Sequence, residues 1–297
     1  MLIPVVLSLC LIILLVIGYA IWVAHEKTLV ERVPVFGNPA QLGLPWENVS
    51  FTSRNDEVSL EGWYLPSRED NRCIILVQGT EHHRNSPGIN ALRLGGNLVD
   101  RGFSVFLFDF RGRGESEGDR SSEGDREQWD LLGAIDYVES RGIPAERIGL
   151  LGFSLGAGVS ILVAAQEPRI AAVVSDGGFL DYMMDLKLLS IGRFYLPTWF
   201  AYLVNLAGRV FFKTDFNKVS PIEVVDKVEQ PIYFIHGEDD PVISAEESRE
   251  LFIVSDNIKD HLWIVPRTEH VNIYLKRPRE YLDRISRFFN RYIDKYP

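Results

Sequence analysis

Six stretches of this chain constrain its fold more than any other feature. CIILVQG from Cys73, SVFLFDF from Ser104, IGLLGF from Ile148, IAAVVS from Ile170, PIYFIHG from Pro231 and the shorter HLWIVP from His261 are near-continuous apolar runs. A strand without a polar side is stable only when both of its faces are covered. Helical segments fall between these runs, over residues 89–100, 126–140, 154–166, 245–254 and 278–292. Strands alternating with helices predict parallel βαβ units and a doubly wound, mostly parallel sheet, an α/β architecture. Two more strand-like runs, 48–53 and 58–65, come first, separated by the turn-rich Arg54-Asn55-Asp56. The alternation in VSLEGWYL predicts a half-buried antiparallel strand. The helix over 126–140 is expected to lay one apolar stripe, around Trp129, Leu132, Ile135 and Val138, on the sheet.

Two regions stand outside this pattern. Residues 1–24 hold no Asp, Glu, Lys or Arg, and only Pro4, Ser8 and Gly18 interrupt the apolar run. That is long enough for a helix to span a bilayer, which takes about 20 residues, and it has no polar stripe for a water-facing helix. A cleaved signal peptide needs a positive amino-terminal region and a small-residue cleavage site; Gly18 and Ala20 are small, but no Lys or Arg precedes the run. Cys10 follows no small residue, so a lipoprotein site is disfavoured. The expectation is an uncleaved single-pass transmembrane helix. Lys27 and Arg32 follow it and nothing basic precedes it, which favours the cytoplasmic side for the rest of the chain. Residues 25–48, with Pro34, Gly37, Pro39, Gly43 and Pro45, read as a linker, and 49–297 as one domain. The second departure is 177–220, too long for a βα loop and too apolar for a solvated one. Asp185, Lys187, Arg193, Asn205, Arg209 and Lys213 interrupt it, so it is not a membrane hairpin. It reads as a helical cap of two or three helices inserted at about 178–220, over the carboxyl edge of the sheet.

Composition narrows the function classes. Thirty-one basic against 41 acidic residues give a net charge of −10, which excludes the basic footprint a nucleic-acid partner needs. Eleven per cent aromatic residues exclude disorder, and two cysteines exclude a disulfide scaffold.

The sharpest local signal is Gly152-Phe153-Ser154-Leu155-Gly156, after the strand IGLLGF and opening the helix SLGAGVSILVAA. A Ser in G-x-S-x-G at a strand-to-helix turn sits on a tight elbow that exposes its hydroxyl. The helix amino end favours negative charge developing nearby. A Ser nucleophile needs a base and a group that orients the base. In a doubly wound sheet, functional groups gather at the carboxyl ends of strands. That disfavours His261, at a strand start, and leaves His236 and His270. His236 is the last side chain of a buried strand and reads as a structural hydrogen-bonder. His270 lies in a loop after a strand, from which a base can reach the nucleophile. Asp239 or Asp240, after PIYFIHG, is the candidate acid; at least two of Glu238, Asp239 and Asp240 are expected to be solvated. His82 and His83 read as rim residues, since a metal site needs more convergent ligands. The glycines of Asp109–Ser116 do not form a phosphate loop, and Glu115, Glu117 and Asp119 repel phosphate, so this loop reads as a structural turn.

These motifs together resemble the α/β-hydrolase group that includes monoacylglycerol lipases, serine-aminopeptidase-like proteins and acyl-protein thioesterase-like membrane hydrolases. FSVFLFDFRGRGESEG is similar to that group's D-x-R-G-x-G-x-S segment, GFSLGAG to its elbow, IHGEDDPVIS to its H-G-x-x-D-x-x-V segment and TEHVNIY to its final His loop. The resemblance runs from about Val49 to the end. It implies Ser154 as nucleophile, Asp240 as acid and His270 as base. It also implies an oxyanion hole from the Leu155 N–H and one donor in the loop Val77-Gln78-Gly79-Thr80-Glu81, with Thr80 first and Glu81 second. The group usually has His-Gly there; Gln78 replaces the His and the Gly is kept. The implied activity is hydrolysis of an acyl ester, a lipid ester or an acyl thioester, with no metal or organic cofactor. A peptidase of the same fold, and a binding protein with a vestigial triad, are the other readings.

Overall fold

The computed structural model describes residues 2–69, 71–80, 83–187, 190–191 and 194–293. Six strands arise from the six apolar runs: β3 (Cys73–Val77), β4 (Ser104–Phe108), β5 (Ile148–Phe153), β6 (Ala172–Asp176), β9 (Ile232–Gly237) and β10 (His261–Val265). β1 (Glu47–Thr52) and β2 (Ser59–Leu65) precede them, and a two-stranded hairpin of β7 (Ser190–Ile191) and β8 (Phe194–Tyr195) lies in the cap. The main sheet has eight strands in the order β1-β2-β4-β3-β5-β6-β9-β10. β1 and β2 are antiparallel to their neighbours, and from β4 to β10 every pairing is parallel.

Successive strand residues feed two separate cores, as the period-two geometry of a strand requires. Ile75, Val77, Phe106 and Phe234 join the core beneath α3 (Glu127–Ser140), α4 (Leu155–Ala164) and α7 (Ala245–Ser255). Ile74, Leu76, Leu107 and Ile235 join the core beneath α2 (Ala91–Val99) and α9 (Pro278–Ile293). A short α8 (Ile273–Lys276) precedes α9.

Four expectations are corrected. β2 is not half-buried, since Trp63, Tyr64 and Leu65 are all enclosed. The strand lies between β1 and β4, with Trp46 against Trp63 on one face and Tyr137 of α3 against Tyr64 on the other. β10 is an edge strand, and Leu262, Trp263 and Ile264 are only partly buried. α3 buries far more than one stripe, including Glu127 and Asp130. Those carboxylates are satisfied internally, Glu127 by Ser121, Ser122 and Gly124, and Asp130 by Arg111. The cap is not all helical. It holds α5 (Tyr182–Lys187), the β7–β8 hairpin and α6 (Thr198–Ala207), which a π-helical turn, Gly208–Phe212, extends. Ile191, Phe194 and Tyr195 are β-prone residue types, which suits the hairpin.

The amino-terminal helix α1 runs Leu2–Thr28, four residues past the apolar run. It is long and apolar enough to cross a membrane, and residues 3–15 are exposed throughout. Its carboxyl end is built into the protein. Ala20, Val23 and Ala24 are buried, Tyr19 stacks on Phe200 of α6 at 5.4 Å, and Arg120 donates to Thr28 Oγ1 at 3.0 Å.

Candidate active site

Ser154 sits between β5 and α4 with φ 53° and ψ −118°. A non-glycine residue held there costs of order 1–3 kcal/mol and is retained only where its surroundings over-determine it. The flanking glycines supply that constraint. A Cβ on Gly152 would stand 2.4 Å from the Gly156 carbonyl oxygen, and one on Gly156 would stand 2.2 Å from that of Val77. Only hydrogen at these positions lets β5, β3 and α4 converge on the turn. The Ser154 N–H donates to the Asp176 carbonyl at the end of β6 (2.9 Å), which pins the elbow to the neighbouring strand.

The loops after β9 and β10 bring the other two expected residues to it. His270 Nε2 lies 2.9 Å from Ser154 Oγ, and His270 Nδ1 lies 2.5 Å from Asp240 Oδ2. Asp240, rather than Asp239, is the acid that faces His270; Glu238 and Asp239 are exposed. Burial would raise the Asp240 pKa. Hydrogen bonds from His236 and His270 and from the backbone N–H groups of Ile243 and Val242 outweigh it and hold the carboxyl well below the usual range. An imidazole whose Nδ1–H is held by a fixed carboxylate, and whose Nε2 faces a hydroxyl, can accept the hydroxyl proton.

His236, read from the sequence as a structural hydrogen-bonder, engages both of its ring nitrogens. Its Nε2 faces two acceptors, Asp240 Oδ2 and the Ile243 carbonyl, both at 3.0 Å, so this nitrogen carries the proton. Its Nδ1 then accepts from Ser248 Oγ (2.7 Å). Asp240 is therefore shared by two imidazoles. Asp176, which sequence reasoning missed, lies at the same edge. Burial pushes its carboxyl up to about 6, although the Tyr281 hydroxyl donates to Oδ2 at 2.9 Å.

A cavity of about 230 Å³ opens at Ser154, with Gln78, Thr80, Ser86, Val242 and His270 among its walls. Gly79 permits this close approach, because a Cβ there would stand 3.2 Å from the Ser154 Cβ. Leu155 is the first residue of α4, where backbone N–H groups have no partner within the helix. Thr80 is exposed to the cavity mouth. Glu81, the second oxyanion candidate, and His82 lie outside the described residues. His83 is not a rim residue. It is buried and its Nδ1 accepts from the Asn85 N–H. The Asp109–Ser116 loop is a structural turn, with its cations consumed. Arg84 pairs with Asp109 and Glu115, Arg111 with Asp130 and Asp56, and Arg113 donates to the Gly79 carbonyl. Among the described residues, no group of three or more His, Cys, Asp or Glu converges as a metal site would.

Comparison with known proteins agrees with this fold. Residues 56–211 match the family described as X-Pro dipeptidyl-peptidase (S15 family). The uncharacterized protein YfhR of Salmonella typhimurium is 31% identical over 248 residues, covering 78% of this chain and 76% of that protein. The alpha/beta hydrolase domain-containing protein WAV2 of Arabidopsis thaliana is 24% identical over 296 residues, covering 94% and 92%. Among solved structures, the Pyrococcus furiosus esterase Pf2001 superimposes with a TM-score of 0.72 at 25% identity, over 89% of this chain and 99% of that one. The family match spans more than half of the chain, and the elbow, strand order and sheet are those of its fold; the chain belongs to the S15 family of X-Pro dipeptidyl-peptidases and is a serine hydrolase of the α/β-hydrolase fold.

Proposed function

We propose that the chain is a membrane-anchored serine hydrolase that cleaves an acyl ester or thioester through an acyl-enzyme. The observation that carries this reading is the continuous hydrogen-bonded line from Ser154 through His270 to Asp240. In this mechanism Ser154 Oγ attacks the acyl carbon while His270 Nε2 takes its proton and returns it to the leaving group. Asp240 holds the imidazole and stabilises its charged form. The N–H groups of Leu155 and Thr80 receive the oxyanion, each worth about 3 kcal/mol of barrier. Water, deprotonated by His270, then releases the acyl group. Residues 1–24 act as the anchor, 25–48 as the connector and 49–297 as the hydrolase domain with its cap at about 178–220. Lys27 and Arg32 favour a cytoplasmic domain.

A serine peptidase is the second reading, favoured by the description of the matched family. One experiment separates the readings. The full-length protein in detergent is labelled with a fluorophosphonate, then offered aryl esters of graded chain length, acyl thioesters and aminoacyl-proline amides. Labelling is expected in the wild type and lost in Ser154→Ala, with ester or thioester turnover falling on the order of 10⁶-fold. Equal labelling of both proteins overturns the nucleophile. Turnover confined to the amides overturns the esterase reading in favour of the peptidase.

A further inference from the structure

The cap carries an apolar face that no other part of the described chain covers. Between Trp199 and Lys213 seven residues are exposed. Five are apolar or aromatic (Trp199, Tyr202, Leu206, Val210 and Phe211), two are basic and none is acidic. Each of the five is more than half exposed. The first four fall at i, i+3, i+7 and i+11, a single stripe on the outside of α6 and its π-helical extension. The Lys187 ammonium lies 5.7 Å over the Tyr202 ring at the border of this stripe. A chain with a net charge of −10 thus presents a face that is apolar and aromatic, bordered by Lys187, Lys213 and Arg209, the last paired with Asp215 at 3.6 Å. Aromatic side chains bordered by Lys and Arg are the composition of a surface seated in the lipid headgroup region.

The apolar run of α1, which packs on α6, says what covers this face. Packing of α1 against the protein begins at Val16 and Tyr19. The uncharged apolar run does not stop there but continues to Ala24. A bilayer that takes up this run therefore reaches the level where Tyr19 stacks on Phe200, the neighbour of Trp199. We propose that the exposed cap face is seated on the same bilayer that α1 enters, so that anchor and cap form one lipid-facing surface. The proposal rests on the membrane-anchor reading of α1. A cavity of about 510 Å³, with Lys27, Val30, Thr80, Arg113 and Tyr182 among its walls, lies at the base of α1. It shares Thr80 with the cavity at Ser154.

The test uses full-length protein in nanodiscs of phosphatidylcholine and phosphatidylglycerol. A nitroxide is attached to the native, exposed Cys10; Cys73 is buried and stays unlabelled. In a Cys10→Ser background the label is placed by Leu206→Cys, by Val210→Cys and by Ile258→Cys, a fully exposed position outside the cap. Collision rates are read with oxygen, which partitions into lipid, and with a water-soluble nickel chelate. The oxygen-to-nickel ratio is expected to be severalfold higher for the labels at 10, 206 and 210 than at 258. A lipid-like ratio at 10 with water-like ratios at 206 and 210 overturns the cap proposal and leaves the anchor standing. Protection of 206 and 210 from both reagents means that protein covers the face, and also overturns it. A water-like ratio at 10 removes the anchor reading and the proposal with it. Because the readout does not depend on catalysis, fluorophosphonate labelling of the same samples scores the hydrolase reading separately.

Discussion

On one side of Ser154, the ends of β9 and β10 bring together His236, Asp240 and His270, and every side-chain polar atom of the three has a partner. On the other side, the loop after β3 presents Gln78 and Ser86. Both are buried, and their side-chain polar atoms have no hydrogen-bond partner among the described residues. A buried polar group left unpaired costs about 1–3 kcal/mol, while a fully satisfied network is rigid. The first side is closed before any ligand arrives; the second keeps unmet hydrogen-bonding capacity beside the cavity. His236, Asp240 and His270 thus sit on the closed half of the site, and the unmet hydrogen-bonding capacity sits on the other.

Three substitutions test that contrast. The largest effect is expected from Asp240→Asn, which leaves the shape of the closed half and removes its charge. Turnover of an ester substrate should fall about 10⁴-fold, with little change in KM. A loss below tenfold means that the His270 orientation does not depend on this carboxylate.

Asp176, behind the elbow, is expected to give the next largest effect. An unfolded Asp ionises near 3.8 and the folded one at about 6, so between these values the folded state holds the extra proton. Stability then falls as pH rises from about 4 to about 6 and is level in this respect above it. The separation of about two pH units amounts to roughly 3 kcal/mol. Asp176→Asn removes this contribution, so its urea midpoint should drop less than that of the wild type between pH 4.5 and 7. Identical drops would mean that the carboxyl is already ionised in the fold.

The smallest effect is expected at Gln78. Gln78→Leu removes an amide that has no partner among the described residues and should leave stability unchanged or raise it by at most about 1–3 kcal/mol. Destabilisation beyond 2 kcal/mol by chemical denaturation would show that the looser half is as closed as the other.

The same contrast decides what was legible in the sequence. The elbow was legible because its requirement is local. Gly152 and Gly156 answer a steric demand two residues to either side of Ser154. His270 was legible because it follows an apolar run directly, and Asp240 was chosen over Asp239 by the spacing from His236 in a shared motif. Asp176 was not legible. It reaches the site because β6 lies between β5 and β9, and nothing in AVVSD announces that neighbour relation. His236 looked structural because its partner, Ser248, belongs to α7, and its second contact with Asp240 depends on how the intervening loop folds back. The full burial of Tyr64 in β2 and the half-exposure of β10 have the same origin. Both follow from position in the strand order, which pattern along one strand does not carry.

Arg32, just past α1, donates to the carbonyls of Gly114, Ser116 and Gly118 at 2.9, 2.7 and 2.7 Å. From that same loop Arg113 reaches the Gly79 carbonyl at 3.1 Å. A displacement of the segment that follows α1 is therefore passed to the Asp109–Ser116 loop through Arg32 and from that loop to Gly79 through Arg113. Gly79, which packs against the Ser154 Cβ, is thus mounted two hydrogen-bonded steps away on the segment that leaves α1.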